Sequence, residues 1–160
     1  MPDAPAAPAV GDLAPDFTLR TDEGLDLTLA ALRGRPVVLY FYPRDDTRGC
    51  TAEACGFRDL FPRFEAAGAV VLGASPDTVA AHARFKAKHA LPFTLLADVD
   101  HAVAERYGVW AEKQLYGRRY LGVEHTTFVL DAAGRVARVF ARVTPAGHAE
   151  AVAAALAERW

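Results

Sequence analysis

The sequence predicts an α/β fold, a mixed central sheet with flanking helices, and three observations carry that prediction. Strand-like and helix-like stretches alternate along most of the chain. Val37-Val38-Leu39-Tyr40-Phe41-Tyr42 is an uninterrupted β-branched and aromatic run, the pattern of a central strand buried on both faces. Near the carboxyl end, two alternating runs read as a hairpin and are followed by a final Ala-rich helix.

In chain order, residues 1–14 are rich in Pro and Ala and read as a flexible tail, with residues 15–160 as a single domain. Residues 16–19 and 25–29 are short apolar runs around the polar turn Thr21-Asp22-Glu23-Gly24, an amino-terminal hairpin. Residues 30–33 suit one helical turn closed by Gly34. Pro43 ends the central strand, Arg44-Asp45-Asp46 forms a loop, and Thr47 can cap a helix reaching about Glu65. Its apolar positions are Phe57, Leu60, Phe61 and Phe64, and Pro62 should kink or break it. Residues 69–74 form a second buried strand, and Ser75-Pro76-Asp77 opens a helix through about His89. Residues 92–97 are strand-like, and residues 98–107 suit a short helix closed by Gly108. Residues 126–130 and 136–140 alternate as a hairpin around Asp131-Ala132-Ala133-Gly134. Residues 147–160 form the last helix, with Val152 and Leu156 at helical spacing.

The chain has 160 residues, 52% hydrophobic and 24% charged, which places it among globular rather than disordered sequences. A formal net charge of −2 gives no electrostatic reason to expect nucleic acid or an anionic membrane as a partner. No run is long and apolar enough to span a membrane, and the amino terminus lacks both a basic residue and a signal-length apolar stretch, so a cytoplasmic location is expected. The two cysteines, Cys50 and Cys55, are too few for a disulfide scaffold. Two close thiols then mean redox chemistry, half a metal site, or coincidence.

Cys50 carries the informative chemistry. With Thr47 as N-cap it is the third residue of a helix, where free N–H groups and the positive end of the helix dipole favour a thiolate, the nucleophilic form. Cys55 lies five residues further on. In an intact helix that spacing separates the Cα atoms by roughly 8–9 Å and rotates them about 140° around the axis. A disulfide wants about 4.4–6.8 Å, so these cysteines can bridge only if the first turns unwind. The plainer reading of each residue stays open: a cysteine in a helical pattern is often a small buried hydrophobe, and Thr47 can be a cap and nothing more.

The arrangement Pro43-x-x-x-Thr47-x-x-Cys50 resembles the active-site motif of peroxiredoxins. The wider string of Tyr40-Phe41-Tyr42-Pro43, Gly49-Cys50-Thr51 and Ala54-Cys55-Gly56-Phe57-Arg58-Asp59 is similar to the branch called bacterioferritin comigratory protein, or peroxiredoxin Q. The likeness extends to Gly11-Asp12-x-Ala14-Pro15-x-Phe17, Phe93-Thr94-Leu95-Leu96-Ala97-Asp98, Tyr107-Gly108-Val109-Trp110 and Thr127-Phe128-Val129-Leu130-Asp131. The resemblance implies a thioredoxin-like fold with amino-terminal additions and reduction of hydrogen peroxide and small alkyl hydroperoxides. It implies Cys50 as the peroxidatic thiol and Cys55 as the resolving one, through an intramolecular disulfide. Thioredoxin or a similar dithiol protein would be the reductant, the chain a monomer, and no cofactor or metal is called for. Thr47 would hydrogen-bond the thiolate or the peroxide, and Pro43 would shape and dry the pocket wall.

One position departs from the family. Where it usually has an arginine, two residues before Thr127-Phe128, this chain has His125. Either His125 donates a hydrogen bond in the arginine's place, or it is a partly exposed strand residue and Arg118 or Arg119 reaches the site. Since histidine normally titrates near neutrality, a rate profile flat between about pH 5.5 and 8 would argue against the first reading.

The remaining polar residues have bland readings. His82 and His89, seven apart, suit a solvated helix face, and His101 and His148 a polar surface. Glu53 reads as a helix-surface or ion-pairing group, with Arg58 as a candidate partner, and Phe93 and Trp110 as core. Ser75 lacks a nucleophile-elbow context, and no Walker-type or zincin-type motif is present. Two other classes compete with a peroxidase. A redox-switch binding protein would use the Cys50–Cys55 disulfide without efficient turnover. A thiol–disulfide oxidoreductase would ordinarily carry Cys-x-x-Cys rather than this longer spacing.

Overall fold

A computed structural model describes residues 7–158, without the side chains of Gln114 and Leu115. Nine strands and five α-helices are described: β1 (Thr18–Thr21), β2 (Asp26–Thr28), β3 (Val37–Phe41), α1 (Arg48–Asp59), α2 (Phe61–Ala66), β4 (Val70–Ser75), α3 (Val79–His89), β5 (Thr94–Ala97), α4 (Ala102–Arg106), β6 (Trp110–Leu115), β7 (Arg118–Val123), β8 (Thr126–Leu130), β9 (Val136–Phe140) and α5 (His148–Ala157). A 3₁₀ turn over Leu29–Leu32 follows β2.

Seven strands form one mixed sheet in the order β2-β1-β5-β4-β3-β8-β9. The β3–β4 and β4–β5 pairs are parallel, and β3–β8 and β8–β9 antiparallel. β3 is buried along its whole length because both of its faces are covered. Val38, Tyr40 and Tyr42 alternate onto the face that packs Ala54 and Phe57 of α1, Phe64 of α2, Phe85 of α3 and Val152 of α5. Val37, Leu39 and Phe41 point the other way, toward Val103 and Ala104 of α4, Tyr107, Phe17 and Leu29. Period-two alternation inside an all-apolar strand thus feeds two separate cores. Gly73 of β4 is required by this packing: a Cβ there would lie 2.7 Å from the ring of Tyr40, its partner across the β3–β4 pair.

The thioredoxin-like α/β fold with its amino-terminal hairpin is the one expected from the sequence. Pro62 breaks the first helix as anticipated, splitting it at Leu60 into α1 and α2. Three differences have physical causes. The third helix begins at Val79 rather than at Ser75, because Thr78 caps it by accepting from the Ala81 N–H, while Ser75 ends β4. Of the segment read as a tail, residues 1–6 lie outside the described residues. Further on, Gly11 donates to the Val136 carbonyl, Val136 to Asp12, and Ala14 to the Gly134 carbonyl, tying this stretch to the β8–β9 turn. The strand pair β6–β7 has no counterpart in the sequence reading; it is a separate two-stranded ribbon turned by Tyr116 and Gly117, both at positive φ. Among the described residues, no helix is long and apolar enough to cross a membrane.

Candidate active site

The chain leaves β3 through half-buried Pro43, and Asp46 adopts a positive φ of 62° as it turns into α1. Thr47 occupies the N-cap in an extended conformation, which makes Cys50 the third helical residue. The cap itself differs from expectation. The Thr47 hydroxyl turns back to donate to the Arg44 carbonyl at 3.0 Å and accepts nothing from the helix. The first intrahelical bond runs from the Thr51 N–H to the Thr47 carbonyl, so the N–H groups of Arg48, Gly49 and Cys50 stand at an uncapped, positive helix end. Cys50 itself is only 2% exposed, held between Ala54, Phe57 and the Tyr40–Tyr42 face of β3.

His125, between β7 and β8, closes the site from the sheet side. Its Nε2 lies 3.8 Å from Cys50 Sγ, and its Nδ1 lies 3.2 Å from Oε1 of Glu53, one turn along α1 from Cys50. The Val143 N–H donates to the His125 carbonyl at 2.9 Å and fixes its backbone. Burial disfavours charge on His125, but hydrogen bonding to Cys50 and Glu53 and the field of those two groups outweigh it, and its pKa is pushed up to about 9. Burial in turn pushes the Glu53 carboxyl up, partly reversed by His125. The two shifts pull the same pair in opposite directions. An imidazolium satisfies both ring nitrogens as donors, one toward Cys50 Sγ and one toward Glu53 Oε1, and that is the state the geometry supports at neutral pH. The pH range in which a histidine role would show therefore moves from about 5.5–8 up to about 9.

The alternative cations are elsewhere. Arg118 and Arg119 are exposed on β7, and Arg119 pairs with Glu112 at 3.4 Å. Glu53 is not a surface group: it is buried, with Oε2 lacking a hydrogen-bond partner, and Arg58 is not its partner, because Arg58 pairs with Asp59 and donates to the His89 carbonyl. The burial of Glu53 and the approach of Pro145 to Gly49 are features the sequence reading missed. The i, i+3 spacing of Cys50 and Glu53, which shares one helix face, was the available signal for the first.

Cys55 is half-buried on a different side of α1, its Sγ 4.0 Å from Nδ1 of His89. Both cysteines are free thiols in one continuous helix. Of the histidines read as solvated, His82 and His148 turn inward. His82 is fully buried, with Nδ1 2.6 Å from Asp45 Oδ2 and Nε2 2.9 Å from the Leu96 carbonyl. His148 is buried against Thr127 Oγ1 at 2.7 Å, and burial, with His125 nearby, lowers its pKa to about 4. His101 stacks on Trp110. The donor atoms of Asp45, Asp77 and His82 lie within 4.8 Å of one another, as metal ligands would. They are already engaged, however: Tyr42 donates to Asp45, and Ser75 and the Asp45 N–H to Asp77. This network secures the loop that leads into α1.

A buried cysteine at an uncapped helix start, faced by an imidazolium on a thioredoxin-like sheet, defines a reactive-thiol protein. The AhpC/TSA family model matches residues 10–139, and the chain belongs to that family. Its relatives place it with the bacterioferritin comigratory, or peroxiredoxin Q, peroxiredoxins. It is 54% identical over 139 residues to a putative peroxiredoxin bcp of Coxiella burnetii, covering 87% of this chain and 92% of that one. It is 44% identical over 139 residues to peroxiredoxin Bcp of Bacillus subtilis, covering 87% and 88%. Among solved structures, it superposes on the bacterioferritin comigratory protein of Xanthomonas campestris with a TM-score of 0.86 at 41% identity, covering 95% and 97% of the two chains. A PrxQ mutant of Xylella fastidiosa gives 0.89 at 33% identity, covering 95% and 97%. The chain is accordingly a thiol-dependent peroxidase, with peroxide as substrate and a thiol as reductant.

Proposed function

We propose that the chain reduces hydrogen peroxide and small alkyl hydroperoxides with Cys50 as the peroxidatic thiol and Cys55 as the resolving thiol, through an intramolecular disulfide that thioredoxin or a similar dithiol protein reopens. The observation that carries the reading is the placement of Cys50 Sγ at the uncapped start of α1, 3.8 Å from the raised-pKa imidazole of His125. The Xanthomonas relative has alkyl peroxide reduction activity, which supports the substrate class.

The Cys50 thiolate attacks one peroxide oxygen, the O–O bond breaks, and the other oxygen departs as hydroxide or alkoxide and takes a proton, leaving Cys50 as sulfenic acid. His125 takes the role the family gives to arginine, with Glu53 holding its ring. The free N–H groups of the first turn face the same developing charge. Thr47, with its proton engaged by Arg44, offers lone pairs to the peroxide proton, and Pro43 walls the pocket. Resolution needs the first turns of α1 to unwind, because an intact helix keeps the two Cα atoms too far apart. Gly56 supports the view that unwinding stops there: its Cα face packs on Ala149 of α5, where an added Cβ would approach to 3.3 Å, so the helix beyond Cys55 stays docked. The monomeric state and a cytoplasmic setting belong to the same proposal.

The test is peroxide consumption by reduced protein with thioredoxin, its reductase and NADPH. Turnover that vanishes in Cys50→Ser and is strongly impaired in Cys55→Ser is the expected result. A single stoichiometric oxidation without turnover, even with a small dithiol present, would favour a redox-switch protein instead. Insulin reduction at thioredoxin-like rates would favour the oxidoreductase reading.

A further inference from the structure

Cys55 meets a second set of ionisable groups, separate from the pair at Cys50. His89 is the last residue of α3, and its Nδ1 lies 4.0 Å from Cys55 Sγ, at the long end of a thiol–imidazole hydrogen bond. Its Nε2 is buried and without a hydrogen-bond partner, and the nearest carboxylate is Asp46, with Oδ1 3.5 Å away. The ring is held in place. Arg58 of α1 donates to the His89 carbonyl at 2.9 Å, and Phe85 packs edge-on at 5.1 Å between centroids. Asp46 is held in turn by Lys88, whose Nζ lies 3.0 and 2.9 Å from its two oxygens. Hydrogen bonding to Lys88 lowers the Asp46 carboxyl below its ordinary value, so it is anionic at neutral pH.

We propose that His89, oriented by Asp46, is the general base that takes the proton of Cys55 when this thiol closes the disulfide with oxidised Cys50. The inference rests on the proposed resolving role of Cys55. An unassisted thiol is only a few per cent thiolate at neutral pH, whereas attack on a sulfenic acid requires the thiolate. With Nδ1 accepting from the Cys55 thiol, the ring proton sits on Nε2 and points at Asp46. Thiol, imidazole and carboxylate then stand in the order that activates nucleophiles elsewhere. In the step, the Cys55 S–H proton passes to Nδ1 while α1 is still folded. The thiolate then attacks the Cys50 sulfur, the new S–S bond forms as the S–O bond breaks, and hydroxide leaves. The imidazolium returns its proton through solvent to that hydroxide, so one water is released and no further reductant or oxidant is consumed. The charged and titratable groups facing His89 are Cys55 and Arg58 from α1, Asp46 from the preceding loop, and Lys88 beside it on α3.

The test separates the two chemical steps. Reduced protein is mixed with one equivalent of hydrogen peroxide, quenched at intervals with a sulfenic-acid trap, and analysed by mass. In His89→Asn, sulfenic acid should form at the parental rate within about twofold, while disulfide formation slows about tenfold to a hundredfold and sulfenic acid accumulates. The parental disulfide step should depend on pH in a way that changes when His89 is replaced, because a base that takes the thiol proton enters that step and no other. Asp46→Asn should show the same change, smaller, about threefold. An independent arm uses Cys50→Ser, which cannot react with peroxide, and follows iodoacetamide alkylation of Cys55 against pH, with and without His89→Asn. A pH inflection in the alkylation rate that disappears with His89 supports the proposal. Unchanged disulfide kinetics, or an alkylation profile indifferent to His89, overturns it. If peroxide fails to oxidise Cys50 in the parent, the peroxidase proposal falls, and the alkylation arm still decides whether His89 activates Cys55.

Discussion

The two ends of the reactive stretch of α1 differ in how charge is held. At Cys50 the sulfur is buried, the ring opposite it is raised to about pKa 9, and a buried carboxylate stands behind that ring. At Cys55 the sulfur is half-exposed, the ring opposite it reaches only an exposed carboxylate at 3.5 Å, and that carboxylate is already shared with a lysine. The first setting maintains a positive charge beside a sulfur over the whole physiological range. The second offers a place for a proton to come and go. In the proposed mechanism one helix thus presents a nucleophile beside a standing positive charge and, five residues later, a thiol whose proton can leave on demand. This is the division of labour that a two-step thiol reaction requires, since the first step needs a standing thiolate and the second needs one only on demand.

The largest expected effect lies beneath both ends. The buried contact of His82 with Asp45, completed by Tyr42 and the Leu96 carbonyl, anchors the loop that carries Asp46, Thr47 and the start of α1. His82→Leu leaves Asp45 buried without its cation-capable partner and should cost about 3–5 kcal/mol. The midpoint of thermal unfolding should fall by roughly 10 °C. Scanning calorimetry measures this. A loss near zero would mean that the loop is held by something other than this network, and the two ends would not share a frame.

Next in size is the peroxide step at the Cys50 end. Glu53→Gln removes the counterion of His125, and His125→Asn removes the cation. Each should slow oxidation of Cys50 by about tenfold to a hundredfold, the scale of one lost charge-assisted contact at a reacting group. Competition kinetics against a heme peroxidase read this step directly. Alkylation of Cys55 should be unaffected in both variants, and a parallel loss at Cys55 would erase the distinction between the two ends. His125→Arg is the refining variant. In the parent, support for the thiolate is present below the His125 pKa and is lost as pH rises through about 9. With arginine, always protonated, that alkaline fall should vanish while the rate at pH 7 is retained.

Much of this arrangement could be read in the sequence, and the parts that could not share a cause. The doubly buried β3, the break at Pro62 and the helix start at Thr47-Cys50 announce themselves through local composition and spacing. The β6–β7 ribbon does not, because it stands apart from the main sheet: β7 is exposed along most of its length, so no apolar alternation marks it. Only Tyr116-Gly117, both at positive φ, gave a turn signal. His82 escaped because a polar residue on a helix reads as solvated by default. Its spacing to Phe85 and His89, three and seven residues, places it on the buried face of α3, but the buried Asp45 that satisfies it is 37 residues away in sequence. His125 was found through a family comparison, whereas its partner Glu53 depends on tertiary packing that spacing alone cannot supply. The absence of a side-chain cap has a similar reason, since the Arg44 carbonyl that takes the Thr47 hydroxyl proton and turns this side chain away from the helix N–H groups is placed by the shape of the loop.

The smallest expected effect is on stability, and it sets two histidines against each other. His125 has a folded pKa raised to about 9 over the model-peptide value near 6.5. A group raised on folding stabilises fully below its unfolded pKa, and that contribution is lost as pH rises from about 6.5 through 9. His148 is the opposite case, lowered to about 4 by burial and by His125 nearby. Between about pH 6.5 and 4 the unfolded chain takes up a proton that folded His148 refuses, so stability falls as pH falls through that window. The two together predict a maximum near pH 6–7, with thermal midpoints lower by about a few degrees on either side. Thermal unfolding of the reduced protein from pH 4 to 10 tests this, with variants to assign each limb. His148→Asn should flatten the acid limb alone, although carboxylates such as Asp46 steepen its lowest part. His125→Asn should flatten the alkaline limb and, by removing a charge that helps lower His148, soften the acid limb slightly. If the alkaline limb survives in His125→Asn, the imidazolium is not held by Cys50 and Glu53 in the reduced protein, and the standing charge assigned to the Cys50 end is absent.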